Sequence, residues 1–264
     1  MSEMQFLINN EKCTGCGSCV ASCQRRVLEL QNNKAVPAGE HCFKCGHCLA
    51  ICPVNAVKVN GCDDEILEIS GKQVFLDEKS LITHLKSRRS IRRYKNTPVE
   101  KEKIEKIIEA GRVTPTASNM QNVRYIVVQN EIEAIEDAVI AQYKLPAELP
   151  DPPGHFVPLP YTFKPDRLKR GFLFHNAPLV ILAISPVEIN GYLAAMNMEL
   201  MAEALGLGTV YVALFTRPAN LNEKLRESLG VAKEEMIAAC LAIGYPNVKY
   251  LRTAPRKPAN ITWK

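Results

Sequence analysis

The chain has 264 residues, 47% of them hydrophobic, and a formal net charge of +5. That is enough chain for two domains, or for one large domain with an appendage, and enough apolar content for a sizeable core. No stretch approaches the ~18 apolar residues of a membrane span, and the first residues lack the basic and apolar regions of an export signal. The expectation is a cytoplasmic protein with no membrane partner. Ten cysteines in such a chain imply a reducing compartment, with thiols used for something other than disulfides. The charge is uneven, with 8 basic and 10 acidic side chains in residues 1–80 against 25 and 18 in residues 81–264. Positive charge in the second part suits a phosphate-bearing cofactor or a nucleic acid.

In chain order, short alternating apolar runs come first. Phe6 and Ile8, then Val27, Leu28, Leu30, Ala35 and Val36, then Val57 and Val59, read as small hairpin strands within 3–8, 27–36 and 57–59. Between them lie Cys13, Cys16, Cys19 and Cys23, and a near copy at Cys42, Cys45, Cys48 and Cys52. Each half is C-x2-C-x2-C-x3-C. Three thiolates within seven residues let one tight loop wrap three corners of an iron–sulfur cubane, and Gly15, Gly17 and Gly46 fall where that loop must bend. Zinc knuckles use one set of four ligands, often with His, rather than two sets at this spacing.

This run resembles bacterial two-cluster ferredoxins over about the first 60 residues. The resemblance implies that the fourth cysteine of each half serves the other cluster: Cys13, Cys16, Cys19 and Cys52 for one 4Fe–4S cluster, Cys42, Cys45, Cys48 and Cys23 for the second. Gln24 departs from the proline that tends to follow the first half, whereas Pro53 keeps it in the second. Cys62 reads as a spare thiol.

Domain 1–60 is followed by an acidic, mixed linker at 61–79. From residue 80 the elements lengthen. Ser80 can cap a helix carrying Leu81, Ile82 and Leu85 towards Arg88. Thr97-Pro98-Val99-Glu100 reads as a capping box before Ile104, Ile107 and Ile108, with Gly111 as the stop. A buried strand is expected at 125–129 and a helix at 131–144. Seven prolines within 145–170 exclude a regular element and suggest a lid or pocket wall. Strand 179–184, helix 189–205, strand 209–215, helix 219–229 and strand 236–243 follow, the last with Cys240 as a core residue. The tail beyond Gly244 is extended.

No glycine-rich dinucleotide loop and no nucleophile–base set can be read here. Ser87-Arg88-Arg89-Ser90-Ile91-Arg92-Arg93-Tyr94 is a forked anion site at a helix end, or a solvated basic run. Here the chain resembles the nitroreductase family of FMN flavoproteins, and the likeness continues in order. Pro115–Asn122 is similar to P-S-S-x-N-x-Q-P, Asn197–Gly208 to Q-N-L-L-L-A-A-x-A-L-G-L-G, and Ile243–Pro246 with Arg256-Lys257-Pro258 to the C-terminal signature. Met196, Asn122, Thr116-Ala117 and Ala254 depart from it, and Arg252 is a possible replacement for the basic residue missing at Ala254.

The resemblance implies an α+β fold, residues 80–264 forming a homodimeric flavin domain behind the small ferredoxin-like one. It implies that Arg88, Arg89, Ser90 and Arg92 contact FMN, with Arg256 adding a phosphate contact. Thr116, Ser118 and Asn119 would come from the other subunit, Gln121 would support them, and the backbone at Gly208 and Thr209 would line the flavin's reactive face. No catalytic side chain is expected, because the flavin carries the chemistry. The expected activity is an anaerobic oxidoreductase in which two 4Fe–4S clusters exchange electrons with FMN, which reduces a nitroaromatic, a quinone or a similar electron-poor substrate. An external ferredoxin or NAD(P)H is the donor. The alternatives are NAD(P)H oxidation with electrons leaving through the clusters to a partner protein, or a non-enzymatic carrier or regulator. Nucleic-acid binding is disfavoured because the basic residues fall on the family's FMN positions.

Overall fold

The computed structural model describes residues 6–62, 64–69, 76–144 and 168–264. They form two compact units: Met1–Phe75 with Thr116–Met120, and Leu76–Pro115 with Gln121–Lys264. Most of the proline-rich 145–170 segment lies outside the described residues.

In the first unit, β1 (Phe6–Ile8) pairs antiparallel with β4 (Val57–Val59), Phe6 opposite Val59. β2 (Leu28–Gln31) and β3 (Lys34–Pro37) form a hairpin. Its turn, Asn32-Asn33, has both residues at positive φ, the tight-turn geometry whose twist matches the strands. Two one-turn helices were not expected from the sequence: α1 (Ser18–Ser22) and α2 (His47–Ala50). Each starts behind a left-handed glycine, Gly17 or Gly46, where a side chain is disfavoured. The buried apolar set is small, chiefly Phe6, Val27, Leu28, Ala35 and Ala56, with Cys13 and Cys19 among it. A core of this size needs help from bound metal to hold one structure.

The second unit is built on a sheet of order β5-β6-β8-β7, comprising Arg124–Val128, Leu179–Ser185, Met236–Gly244 and Gly208–Tyr211, with all neighbours antiparallel. The central strands β6 and β8 are apolar throughout because both faces are covered. Leu179, Ile181 and Ala183 point to α4 (Lys101–Arg112) and α6 (Glu188–Ala204), meeting Ile104, Ile107, Ala195 and Met198. Val180, Leu182 and Ile184 point the other way, to α5 (Ile132–Lys144) and α7 (Ala213–Leu221), meeting Ile135, Val139 and Phe215. An antiparallel sheet between helical layers is the expected α+β class. Cys240 is buried in β8, as expected.

Several boundaries differ from expectation for identifiable reasons. α3 spans Glu78–Ser87, with Asp77 rather than Ser80 as the cap; the Asp77 carboxylate accepts the Ser80 N–H at 2.7 Å. α4 starts at Lys101, and the expected capping box does not form. The Glu100 carboxylate accepts instead from the Tyr245 hydroxyl, which the Lys103 ammonium reaches at 2.7 Å. Gly111 does not stop this helix. It lies inside α4, where an added Cβ would stand 2.6 Å from the Tyr125 hydroxyl. β5 is a half-exposed edge strand with only Val128 buried. The strand expected at 209–215 ends at Tyr211 and passes into α7, and the helix expected at 219–229 is broken at Asn222. Asn222 caps α8 (Glu223–Ser228) by accepting the Leu225 N–H at 3.0 Å.

Candidate functional site

In the first unit, Cys13, Cys16, Cys19 and Cys52 line one cavity, together with Gly15, Ala35 and Ala56. Cys23, Cys42, Cys45 and Cys48 line a second, with Phe43, Lys44 and Gly46. Each cavity thus draws three cysteines from one half of the run and the last from the other. The crossing follows from α1 and α2: each short helix holds the third cysteine of its half, and the final one, Cys23 or Cys52, follows about a turn later at or just beyond its end. Among the described residues no group of three or more His, Cys, Asp or Glu side chains closes on a single metal ion; these thiols surround cavities instead. The sulfurs also receive backbone N–H groups: Ala35 to Cys13 (3.5 Å), Lys44 to Cys42 (3.3 Å) and Ala56 to Cys52 (3.2 Å). Such donors stabilise thiolate and cluster charge. Burial raises the Cys19 and Cys48 thiols, whereas the Ser18 backbone N–H lowers Cys16. The first unit also contains the loop Thr116–Met120. There the Asn119 amide donates to the Phe43 and Lys44 carbonyls at 3.0 and 3.1 Å, on the lip of the second cavity. Ser118 and Asn119 hold left-handed backbone to do so, and Gln121 just beyond also has positive φ. Cys62 is exposed.

In the second unit, the basic segment leaves the end of α3. Its backbone is pinned along β7 and the C-terminal stretch. The Ile91 N–H donates to Thr209 O, the Lys95 N–H to Tyr245 O and the Asn247 N–H to Arg93 O, each at 2.8 Å. Gly208 makes this approach possible, since an added Cβ would stand 2.3 Å from Ile91 Cγ1. The guanidiniums do not converge. Arg88 turns inward and pairs with Glu199, whose Oε1 also accepts from Thr209 Oγ1 at 3.1 Å. Arg89 lies over the Tyr250 ring, 6.0 Å from its centroid. Arg92 faces His175, whose imidazole is lowered by burial and then by the Arg92 charge. Ser90 is half-buried, and Arg256 is exposed in the extended tail.

Behind Arg88 lies a group of ionisable side chains that the sequence did not single out. Glu199 and Glu203 stand one turn apart on α6, and His84 Nε2 is 3.1 Å from Glu203 Oε2. Burial, and then the Glu199 charge, raises Glu203 to about 7, with Arg88 opposing. The Tyr211 hydroxyl faces the same carboxylate and is raised by burial and then by Glu199. A signal for these residues was present: two acids at i, i+4 in a helix otherwise rich in Ala, Met and Leu. A carboxylate on the buried face of such a helix must be paired.

The profile of the nitroreductase family matches residues 85–245, and that of a 4Fe–4S dicluster domain matches residues 5–53. The chain belongs to the nitroreductase family. A relative from Archaeoglobus fulgidus, whose name pairs NADH dehydrogenase with NAD(P)H nitroreductase, is 26% identical over 172 residues, 61% of this chain and 82% of that one. Ferredoxin-2 of Desulfomicrobium norvegicum is 55% identical over 31 residues, 12% of this chain and 52% of its own length. A nitroreductase from Bacteroides fragilis, solved with bound FMN, superposes with a TM-score of 0.57 at 20% identity, covering 71% of this chain and 98% of that one. That likeness places the second unit in the nitroreductase fold. No described helix is long and apolar enough to cross a membrane.

Proposed function

We propose that this nitroreductase-family protein is an iron–sulfur flavoprotein oxidoreductase. Two 4Fe–4S clusters in the first unit exchange electrons with FMN in the second, and an electron-poor substrate such as a nitroaromatic or a quinone is reduced. The observation that carries this reading is the presence of two four-cysteine cavities in the same chain as a nitroreductase fold. Cys13, Cys16, Cys19 and Cys52 hold one cluster, and Cys23, Cys42, Cys45 and Cys48 the other. Crossed ligation suits two clusters held close together by a very small core.

Arg89, Ser90 and Arg92 supply cationic and hydroxyl contacts to the flavin phosphate and ring edge, with Arg256 from the tail. The β7 backbone at Gly208 and Thr209 borders the ring. Arg88 enters this site from behind, already charge-matched by Glu199. Thr116, Ser118, Asn119 and Gln121 complete the site from a second copy of the chain, which makes the active species a homodimer in the cytoplasm. Bound FMN accepts electrons singly or in pairs, which lets it join one-electron clusters to two-electron substrates. A low-potential donor such as a reduced ferredoxin feeds the clusters.

The name of the Archaeoglobus fulgidus relative favours one second reading: NAD(P)H reduces the flavin and the clusters pass electrons out to a partner protein. Anaerobic purification with iron and flavin quantified, expected at about eight iron atoms and one flavin per chain, opens the test. Turnover is then assayed with reduced ferredoxin and with NAD(P)H, in the native chain and in Cys16→Ala and Cys45→Ala. Ferredoxin-driven turnover that survives both substitutions unchanged rules out the relay.

A further inference from the structure

Electrons that arrive through iron–sulfur clusters bring no protons. Reducing a flavin to its anionic two-electron form with bare electrons takes one proton from solvent; a nicotinamide hydride supplies electrons and proton together and takes none. A cluster-fed flavin therefore needs a proton inlet that a hydride-fed one does not.

The ionisable group behind Arg88 has the layout of an inlet. Side-chain exposure falls from 40% at His84 to 14% at Glu203 and 1% at Glu199. His84 Nε2 is 3.1 Å from Glu203 Oε2, and Glu203 and Glu199 are neighbours on one face of α6. Glu199 ends the series against Arg88 and Thr209. Its second oxygen, Oε2, is buried and, among the described residues, accepts no hydrogen bond of normal geometry. Charge counting agrees. The groups facing this cluster are His84 from α3, Arg88 from the basic segment, Glu199 and Glu203 from α6, and Thr209 and Tyr211 from β7. Two carboxylates face one guanidinium and one imidazole, so with His84 neutral one negative charge is left unmatched, which is costly unless a proton on His84 or Glu203 removes it. Tyr211 cannot compensate, because its neutral form is favoured there.

We propose that His84, Glu203 and Glu199 form a proton inlet that passes solvent protons inward to the Arg88–Thr209 side of the flavin site, matching electrons that arrive through the clusters. This rests on the function proposed above. The proton moves from His84 Nε2 to Glu203 Oε2 and then to Glu199 Oε2, and His84 is reprotonated by water. Each transfer conserves charge, and Glu199 would release the proton to the reduced flavin, which returns the series to its starting state.

The test uses the holoenzyme, with iron and flavin quantified, and the variants Glu203→Gln and His84→Ala. Anaerobic stopped-flow follows flavin bleaching by reduced ferredoxin and, separately, by NAD(P)H, in H2O and D2O. With ferredoxin, Glu203→Gln is expected to slow bleaching by about 10²-fold, the usual scale of a lost positioned proton donor. A solvent isotope effect is present in the native protein, and imidazole restores His84→Ala. Bleaching by NAD(P)H is expected to change little. Equal slowing with both donors, or none with ferredoxin, overturns the inlet. If the native chain binds no flavin, or neither donor bleaches it, the functional reading fails instead. Infrared titration of the same chain then decides the proton site. A protonated-carboxyl band near neutral pH that vanishes in Glu203→Gln supports it, and no such band overturns it.

Discussion

The return from the proline-rich segment is tied to α5 by the exposed pairs of Arg170 with Glu133 and Asp137 and by one buried carboxylate. Glu136, buried on α5, accepts the Gly171 N–H at 2.7 Å with one oxygen. With the other it accepts the Leu173 and Phe174 N–H groups at 2.7 and 3.3 Å. These residues lead into His175, which faces Arg92. Glu136→Ala leaves three backbone donors without an acceptor. A buried donor left unsatisfied costs about 1–3 kcal/mol, so the two short bonds alone give roughly 2–6 kcal/mol. For a unit of this size, 1 kcal/mol is about 2–4 °C in Tm, and a fall of roughly 10 °C is expected. Glu136→Gln keeps one carbonyl acceptor and should lose about half as much. Urea and thermal unfolding followed by circular dichroism measure both. A loss below about 1 kcal/mol for Glu136→Ala would refute the anchoring role, because water would then be satisfying those donors.

Three further outcomes are expected. Glu235 is pulled down to about 2, first by its hydrogen bonds from Arg124; a depressed carboxyl stabilises above its ordinary pKa, so this contribution, about 1 kcal/mol for a partly exposed pair, is lost as pH falls from about 4.5 towards 2. Acid unfolding of Arg124→Ala beside the native chain should converge in that window. Gly111→Ala gains about 1 kcal/mol of helix propensity but drives a Cβ to 2.6 Å from the Tyr125 hydroxyl, and a net loss of about 1–2 kcal/mol is expected in urea unfolding. Asn119→Ala removes both hydrogen bonds to the Phe43–Lys44 turn and places alanine at φ 53°. It should speed chelator-driven iron loss from the second cavity severalfold for about 1–2 kcal/mol, visible as cluster bleaching.

Features governed by local chemistry could be read from the sequence. The cysteine spacing is a property of one loop, and the apolar runs of β6 and β8 can be buried only as central strands. Misreadings arose where a distant partner decided the outcome. Glu100 was free to cap α4 until Tyr245 took it, and Gly111 resembled a stop until Tyr125 and Met198 filled its space. The run from Thr209 to Phe215 is apolar enough to read as one strand, and periodicity cannot separate a short strand from the apolar first turn of α7. The proton-binding pair escaped notice because two glutamates on a helix usually mark a solvated face.

From sequence the arginine run allows a fork, several guanidiniums closing on one anion, or a solvated basic run. The three guanidiniums take different neighbours: Arg88 pairs with Glu199, Arg89 lies over the Tyr250 ring and Arg92 faces His175. Each guanidinium is thus held by a different neighbour, and the proposed site adds contributions from the tail and from a second copy. The arginines should accordingly fail in different ways. Arg88→Ala strands the buried Glu199 carboxylate, and breaking such a pair costs about 3–5 kcal/mol, so unfolding should move strongly. Arg89→Ala leaves Glu199 paired and should loosen FMN, by about 1.5–3 kcal/mol for a lost charged contact, with the unfolding midpoint of the flavin-free protein unchanged. Flavin fluorescence titration and urea unfolding of both variants separate the two effects. Equal flavin weakening in both, with no stability loss for Arg88→Ala, would show that Arg88 belongs to the phosphate site and not to Glu199.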